Sequence, residues 1–232
     1  VLLCNCKLNF DRNEERKMTK IAVLGASGQI AKLAENLFLE DKNNELILFL
    51  RHPNKLDKKD IDDQRERIVV GDASKLDELA PAIKGADIVY ANLAGSNIED
   101  QAKTVVKAMD EDGIKRLIWI SSLGVYDEVP GKFGEWNKNI LGSYLTTYRA
   151  AADQITASDL DYTIIRPAWL TNKDEVDYEI TEGATTPFKG TEVSRLSVAS
   201  YVNEIVKDQS KDSRGNVGLN KPNTDGDKPA WY

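Results

Sequence analysis

A train of short apolar runs, separated by stretches with helical spacing, constrains this chain more than any other feature. KIAVLGA (20–26), ELILFL (45–50), RIVVGD (67–72), DIVYANLAG (87–95), KRLIWISSLG (115–124) and DYTIIRPAWL (161–170) are nearly continuous in apolar character. A strand covered on both faces has no solvent side, so its residues do not alternate between apolar and polar. Between these runs, QIAKLAENLFLE (29–40), SKLDELAPAIKG (74–85), IEDQAKTVVKAMDEDG (98–113) and YLTTYRAAADQITAS (144–158) place apolar residues at helical spacing. Ser74 reads as the N-cap of the second helix, with Asp77 three residues on and Gly85 beyond its end; Gly113 stops the third. Strands alternating with helices of this length predict right-handed parallel crossovers and a doubly wound α/β sheet.

Past residue 171 the pattern weakens. TPFKGTEVS (186–194) suggests one short strand, SVASYVNEIVKD (197–208) a helix, and the Gly-, Asn-, Asp- and Pro-rich remainder reads mostly as loop. No linker composition appears, so residues 18–232 are expected to form one domain with a small substrate-facing C-terminal segment. Residues 1–17 read as a poorly ordered upstream extension, because they show no periodicity. Both cysteines, Cys4 and Cys6, fall in that stretch, which leaves no disulfide or thiol chemistry for the rest. With His52 the only histidine, they cannot complete a tetrahedral metal site, and no metal is expected. A net charge of -7 without a basic run argues against nucleic acid or an anionic membrane surface as partner. No apolar stretch approaches the roughly 20 residues of a spanning helix. With no export signal visible, the expectation is a cytoplasmic monomer or homodimer acting on a small molecule.

The run Gly25-Ala26-Ser27-Gly28-Gln29-Ile30-Ala31 lies between the first strand and the first helix. Gly25 permits a tight turn, Gly28 lets backbone approach a pyrophosphate, and the helix start offers unpaired N–H groups and a positive dipole end. Position and pattern together point to a Rossmann-type dinucleotide site. The second strand ends in Leu50-Arg51-His52-Pro53-Asn54-Lys55, without the acid that usually holds a ribose 2′-hydroxyl. A guanidinium there suits a 2′-phosphate, so NADP(H) is expected over NAD(H). His52 is read as a loop residue flanking the adenine. Asp72, followed by Ala73, either accepts from the adenine amine or caps the next helix. Leu93, Ala94 and Gly95 close the fourth strand near the nicotinamide ribose, and Pro167 closes the sixth beside Arg166. Small residues at successive strand tips fit a ligand in the switch-point crevice.

GASGQIA, RHPNK after the second strand, GDAS, ISSLGVY and SDLDYTIIRP, in this order, resemble the short-chain dehydrogenase/reductase superfamily in its atypical NAD(P)H-binding or NmrA-like branch. The resemblance spans about Lys20 to Asp208, and the layout is similar to that of flavin, biliverdin and quinone reductases. It implies that Ser122 polarises a substrate carbonyl. It also implies a Tyr-x-x-x-Lys pair on the following helix, where Lys lowers the Tyr pKa. This chain departs from that pattern: Tyr144 is followed four residues on by Tyr148, and Tyr148 by Ala152. Tyr148 is the better proton-donor candidate, with Arg149 as a substitute positive charge. Two expectations stand. One is an NADPH-dependent oxidoreductase passing hydride to a small quinone, flavin or carbonyl substrate. The other is a non-catalytic NADP-binding redox sensor or scaffold.

Overall fold

The computed structural model describes residues 18–56 and 61–232; the expectations for residues 1–17 lie outside the described residues. In chain order the elements are β1 (Thr19–Leu24), α1 (Gln29–Leu39), β2 (Asn44–Leu50), β3 (Glu66–Val70), α2 (Leu76–Ile83), β4 (Ile88–Ala91), α3 (Ile98–Asp112), β5 (Arg116–Ile120), α4 (Gly131–Leu141), α5 (Ser143–Thr156), β6 (Asp161–Pro167), β7 (Trp169–Thr171), β8 (Glu179–Glu182), β9 (Glu192–Ser194), α6 (Arg195–Lys207) and β10 (Gly215–Asn220).

The main sheet has eight strands in the order β3-β2-β1-β4-β5-β6-β10-β8. Every pairing is parallel except β10 with β8. The apolar runs behave as continuous apolar strands must, since β4 and β5 are buried along their whole length. Their side chains feed two cores. Ile21, Val23, Tyr90 and Ile118 meet α1 and α6 on one face, and Ala22, Leu24, Val89 and Trp119 meet α2, α3 and α5 on the other. The strand order reverses between β1 and β4, which opens a crevice at their carboxyl ends.

Four sequence expectations need correction. α2 starts at Leu76 with Lys75 at its cap, so Ser74 is not the N-cap; Ser74 instead donates to Asp72. The sixth run breaks at Ala168, where β6 ends and β7 leaves to pair with β9 in a two-stranded sheet. A helix unpredicted from sequence, α4, fills 131–141. The supposed C-terminal loop holds β10, which lies inside the main sheet between β6 and β8.

Candidate functional site

The β1–α1 turn is shaped by the end of β4. Gly25 has φ +79°, the left-handed region where a side chain is strained, and a Cβ there would overlap the Asn92 carbonyl oxygen. A Cβ on Gly28 would overlap the Asn92 side-chain amide. The two glycines therefore let the turn nest against Asn92, and the backbone at the crevice floor stays bare. No side chain caps α1 and no acid stands in its first turn. Its N-terminal N–H groups and dipole are left for an anion.

A crevice of about 180 Å³ runs from this turn across the tips of β2, β3 and β4. Gly25, Ser27 and Gly28 form one end, Arg51, His52 and Lys55 one wall, and Asp72, Ala73, Leu93 and Ala94 the other. Arg51 and Lys55 are exposed, and no carboxylate ends β2. Asp72 does not cap α2, whose cap residue is Lys75 with no side-chain cap bond. Its Oδ1 accepts from the Ser74 backbone N–H at 2.9 Å and hydroxyl at 2.8 Å, and these bonds hold its pKa below the usual carboxylate range. Its own N–H donates to Glu78 Oε2 at 2.8 Å, which ties the loop to α2.

A second cavity, about 510 Å³, adjoins the first through the shared residues Gly28, Asn92, Leu93 and Ala94. Its volume is typical of small-molecule sites. Ile30, Ile120, Leu123, Leu141, Pro167, Trp169 and Leu170 give it an apolar lining, with Ser121, Ser122, Tyr144, Tyr148, Arg195 and Trp231 as the polar or amphipathic groups. The Ser122 hydroxyl donates a long 3.2 Å bond to the Leu123 carbonyl. Ser121 Oγ and the Tyr148 hydroxyl are buried and have no hydrogen-bond partner among the described residues. Buried polar groups are rarely left so unless something absent completes them.

Tyr144 and Tyr148 stack with ring centroids 3.8 Å apart. Burial pushes both phenol pKa values up. For Tyr148 the nearby Tyr144 hydroxyl and Gly95 N–H oppose the rise without reaching hydrogen-bond geometry. Arg149 does not supply the missing positive charge. It pairs with Asp153 at 2.8 Å and lies over the Tyr126 ring, 4.5 Å from its centroid. Both tyrosines therefore stay neutral phenols.

Arg166 turns away from the cavity into the core. It is fully buried and bonds Glu128 Oε1, Asn216 Oδ1 and the Gly183 carbonyl. Glu128 in turn accepts from the Gly124 and Tyr126 N–H groups, so the pair fixes the loop after Ser122 to β6, β10 and β8. Of the residues singled out from sequence, Gln29, Gly95, Arg149 and Arg166 border neither cavity, while Gly25, Ser27, Gly28, Ile30, Arg51, Asp72, Ala73, Leu93, Ala94, Ser122, Tyr148 and Pro167 are brought to one or both. Sequence reasoning missed Ser121, Asn92, Arg195 and Trp231 as lining. Asn92 and Ser121 had a signal, since each directly follows a strand; Arg195 and Trp231 had none.

A glycine turn at the switch point of a parallel α/β sheet, opening onto an apolar cavity, defines an NAD(P)-binding Rossmann protein of the short-chain dehydrogenase/reductase kind. Residues 25–209 match the NAD(P)H-binding family, and the chain belongs to it. It is 42% identical to a Rossmann-fold NAD(P)-binding family protein from Shigella flexneri, covering 91% of this chain and 98% of that one, with a TM-score of 0.79. A short-chain dehydrogenase/reductase from Veillonella parvula in complex with NADP is 30% identical over 91% of this chain and 99% of that one, with a TM-score of 0.84. An uncharacterized sugar epimerase of Bacillus subtilis, YhfK, is 27% identical over 207 residues, 84% of this chain and 91% of that protein. The chain is thus an NAD(P)H-binding protein with an oxidoreductase-like fold. Among the described residues no helix is long and apolar enough to cross a membrane.

Proposed function

We propose that this protein is an NADPH-dependent reductase that delivers hydride to a small planar quinone, flavin or conjugated carbonyl acceptor. The observation that carries this reading is the pair of adjoining cavities, the second apolar yet holding two unpartnered buried hydroxyls, Ser121 Oγ and Tyr148 Oη. The residues present fit the dinucleotide. Gly25, Ser27 and Gly28, with the N–H groups of Gln29 and Ile30, would take the pyrophosphate at the uncapped start of α1. Arg51, supported by Lys55, would take the 2′-phosphate. Asp72 and Ala73 would border the adenine, Leu93 and Ala94 the ribose, and Pro167 the nicotinamide. Bound there, the reduced dinucleotide supplies a hydride.

The chain's own groups do the rest. Ser122, freed from its long bond to Leu123, donates to the acceptor oxygen as negative charge gathers on it. Tyr148 stays protonated at working pH and adds a second donor to that oxygen. Without a lysine to lower its pKa it is a poor proton relay, so the balancing proton comes from water. Apolar side chains keep bulk water off the ring. That arrangement suits a conjugated acceptor, whose reduced product tolerates slow protonation, better than a sugar alcohol that needs a tuned acid.

Absorbance at 340 nm tests the proposal. NADPH oxidation is expected with members of a panel of quinones, free flavins and conjugated aldehydes. Tight NADPH binding with no turnover on any of them would instead support a redox sensor, a second reading favoured by the missing lysine and by the engagement of Arg149 with Asp153.

A further inference from the structure

Among the described residues Arg195 is the one fixed cation on the lining of the second cavity. It sits at the start of α6, partly buried, and donates to Asn172 Oδ1 at 2.8 Å. Among the described residues no carboxylate stands within ion-pair distance of it. Burial lowers its pKa, but a guanidinium remains charged at any working pH. Its bond to Asn172 lies on the exposed side and uses one of its N–H groups, which leaves the other donors of the fork for an anion. The other arginines near this end of the sheet are already engaged: Arg166 with Glu128, and Arg149 with Asp153.

The same cavity has an aromatic wall. Trp169 packs on Trp136, with centroids 4.8 Å apart, and Trp231 and Tyr232 lie edge-on against Trp169 at 6.3 and 5.6 Å. Trp231 lines the cavity yet is 51% exposed, so its ring has an uncovered area at the cavity mouth. Trp169 is held in place by its Nε1–H, which donates to Asn137 Oδ1 at 2.9 Å. An indole anchored in this way is a flat platform at low conformational cost.

We propose that the acceptor is a fused aromatic ring carrying an anionic substituent, with Arg195 pairing the anion and Trp231 and Trp169 bearing the ring. This rests on the reductase reading and narrows it to negatively charged acceptors. Arg195 is then the residue that sets specificity, since it offers a bidentate fork to a carboxylate, sulfonate or phosphate.

The test uses two probes with one ring system, anionic 9,10-anthraquinone-2-sulfonate and neutral 2-hydroxymethyl-9,10-anthraquinone. Binding to the NADP⁺-saturated full chain is measured by equilibrium dialysis, and NADPH oxidation with each probe is followed separately. The sulfonate is expected to bind at least tenfold tighter than the neutral probe. Arg195→Gln brings that ratio toward one, Arg195→Lys keeps part of it, and Trp231→Ala weakens both probes together. NADPH affinity, titrated for each variant, shows that the Rossmann site is still folded. Equal affinities in the wild type, or an undiminished ratio in Arg195→Gln, would overturn the inference. Selective binding of the sulfonate without NADPH oxidation would uphold the anion site and overturn the reductase reading. Oxidation of NADPH by both probes with no dependence on Arg195 would do the reverse.

Discussion

Arg51 carries its prediction by position alone: it ends β2 on the crevice wall, exposed, with Lys55 nearby and no acid at the strand tip. NADPH should bind at least tenfold more tightly than NADH, about 1.4 kcal/mol. Arg51→Ala should remove most of that preference in calorimetric titration, with little change for NADH. At the second cavity, Ser122→Ala should lower turnover roughly a hundredfold while NADPH affinity holds, because one oxyanion donor is worth about that much. The tyrosines give a pH test. Burial raises the Tyr148 pKa, so its proton remains on the ring through neutral and mildly alkaline pH. The pH profile of kcat should therefore show no falling limb from a phenol below about pH 10. A limb with an apparent pKa near 7 or 8, abolished in Tyr148→Phe, would show that the phenol is tuned after all. Ser122 was legible because it follows a buried strand in a recognisable segment. That Arg149 serves Asp153 and Tyr126 rather than Tyr148 was not, since helical spacing gives a face but not a partner.

Between elements, two junctions place the site. The first is the nesting of the β1–α1 turn on Asn92. Gly25→Ala meets backbone that cannot move and a strained φ, so it should cost several kcal/mol in chemical denaturation. Gly28→Ala meets chiefly the Asn92 side-chain amide, with the Gly25 carbonyl oxygen at 3.2 Å a lesser contact, and Asn92→Ala should restore much of its stability. The second junction is the Glu128–Arg166 pair, fully buried on both sides. Arg166→Met alone should destabilise by about 3–5 kcal/mol, because it leaves the Glu128 carboxylate without its counter-charge. Arg166→Met with Glu128→Leu should cost less than that single change. The elements that sequence missed share a physical reason. β10, GNVGLN, is four-sixths Gly and Asn, both weak strand formers, and its strand state comes from pairing with β6 and β8 and from the Arg166 bond to Asn216. α4 begins at Gly131 with Pro130 at its cap and carries a second glycine, Gly134, so its helicity reflects packing of Phe133 and Asn137 rather than propensity.

At the scale of the whole molecule, pH acts on stability through Glu35. This carboxyl of α1 is buried with one oxygen unpartnered, and desolvation, reinforced by Glu66 and opposed by Lys32, pushes its pKa up to about 8. The unfolded chain ionises Glu35 near its ordinary value of 4.5 while the folded chain keeps the proton. Its contribution is thus full below pH 4.5 and lost as pH rises toward 8. Glu35→Gln should flatten that fall and raise the melting temperature at pH 8, with a gain of a few kcal/mol at most at about 1.4 kcal/mol per pKa unit. Scanning calorimetry at pH 5 and pH 8 reads the difference directly.

The sequence by itself determined the parallel sheet, its helical crossovers and the glycine turn at the start of α1. Each is a local matter of apolar period, of glycine where backbone must bend, and of a charge at a strand tip. The tertiary structure decided what lies beyond the second half of the sheet. Arg166 became a buried strut, Asp72 turned to Ser74, and Trp231 and Arg195, 36 positions apart, came to line one cavity. Those outcomes depend on which groups find one another across long separations in chain, and no local pattern encodes a partner that only folding brings near.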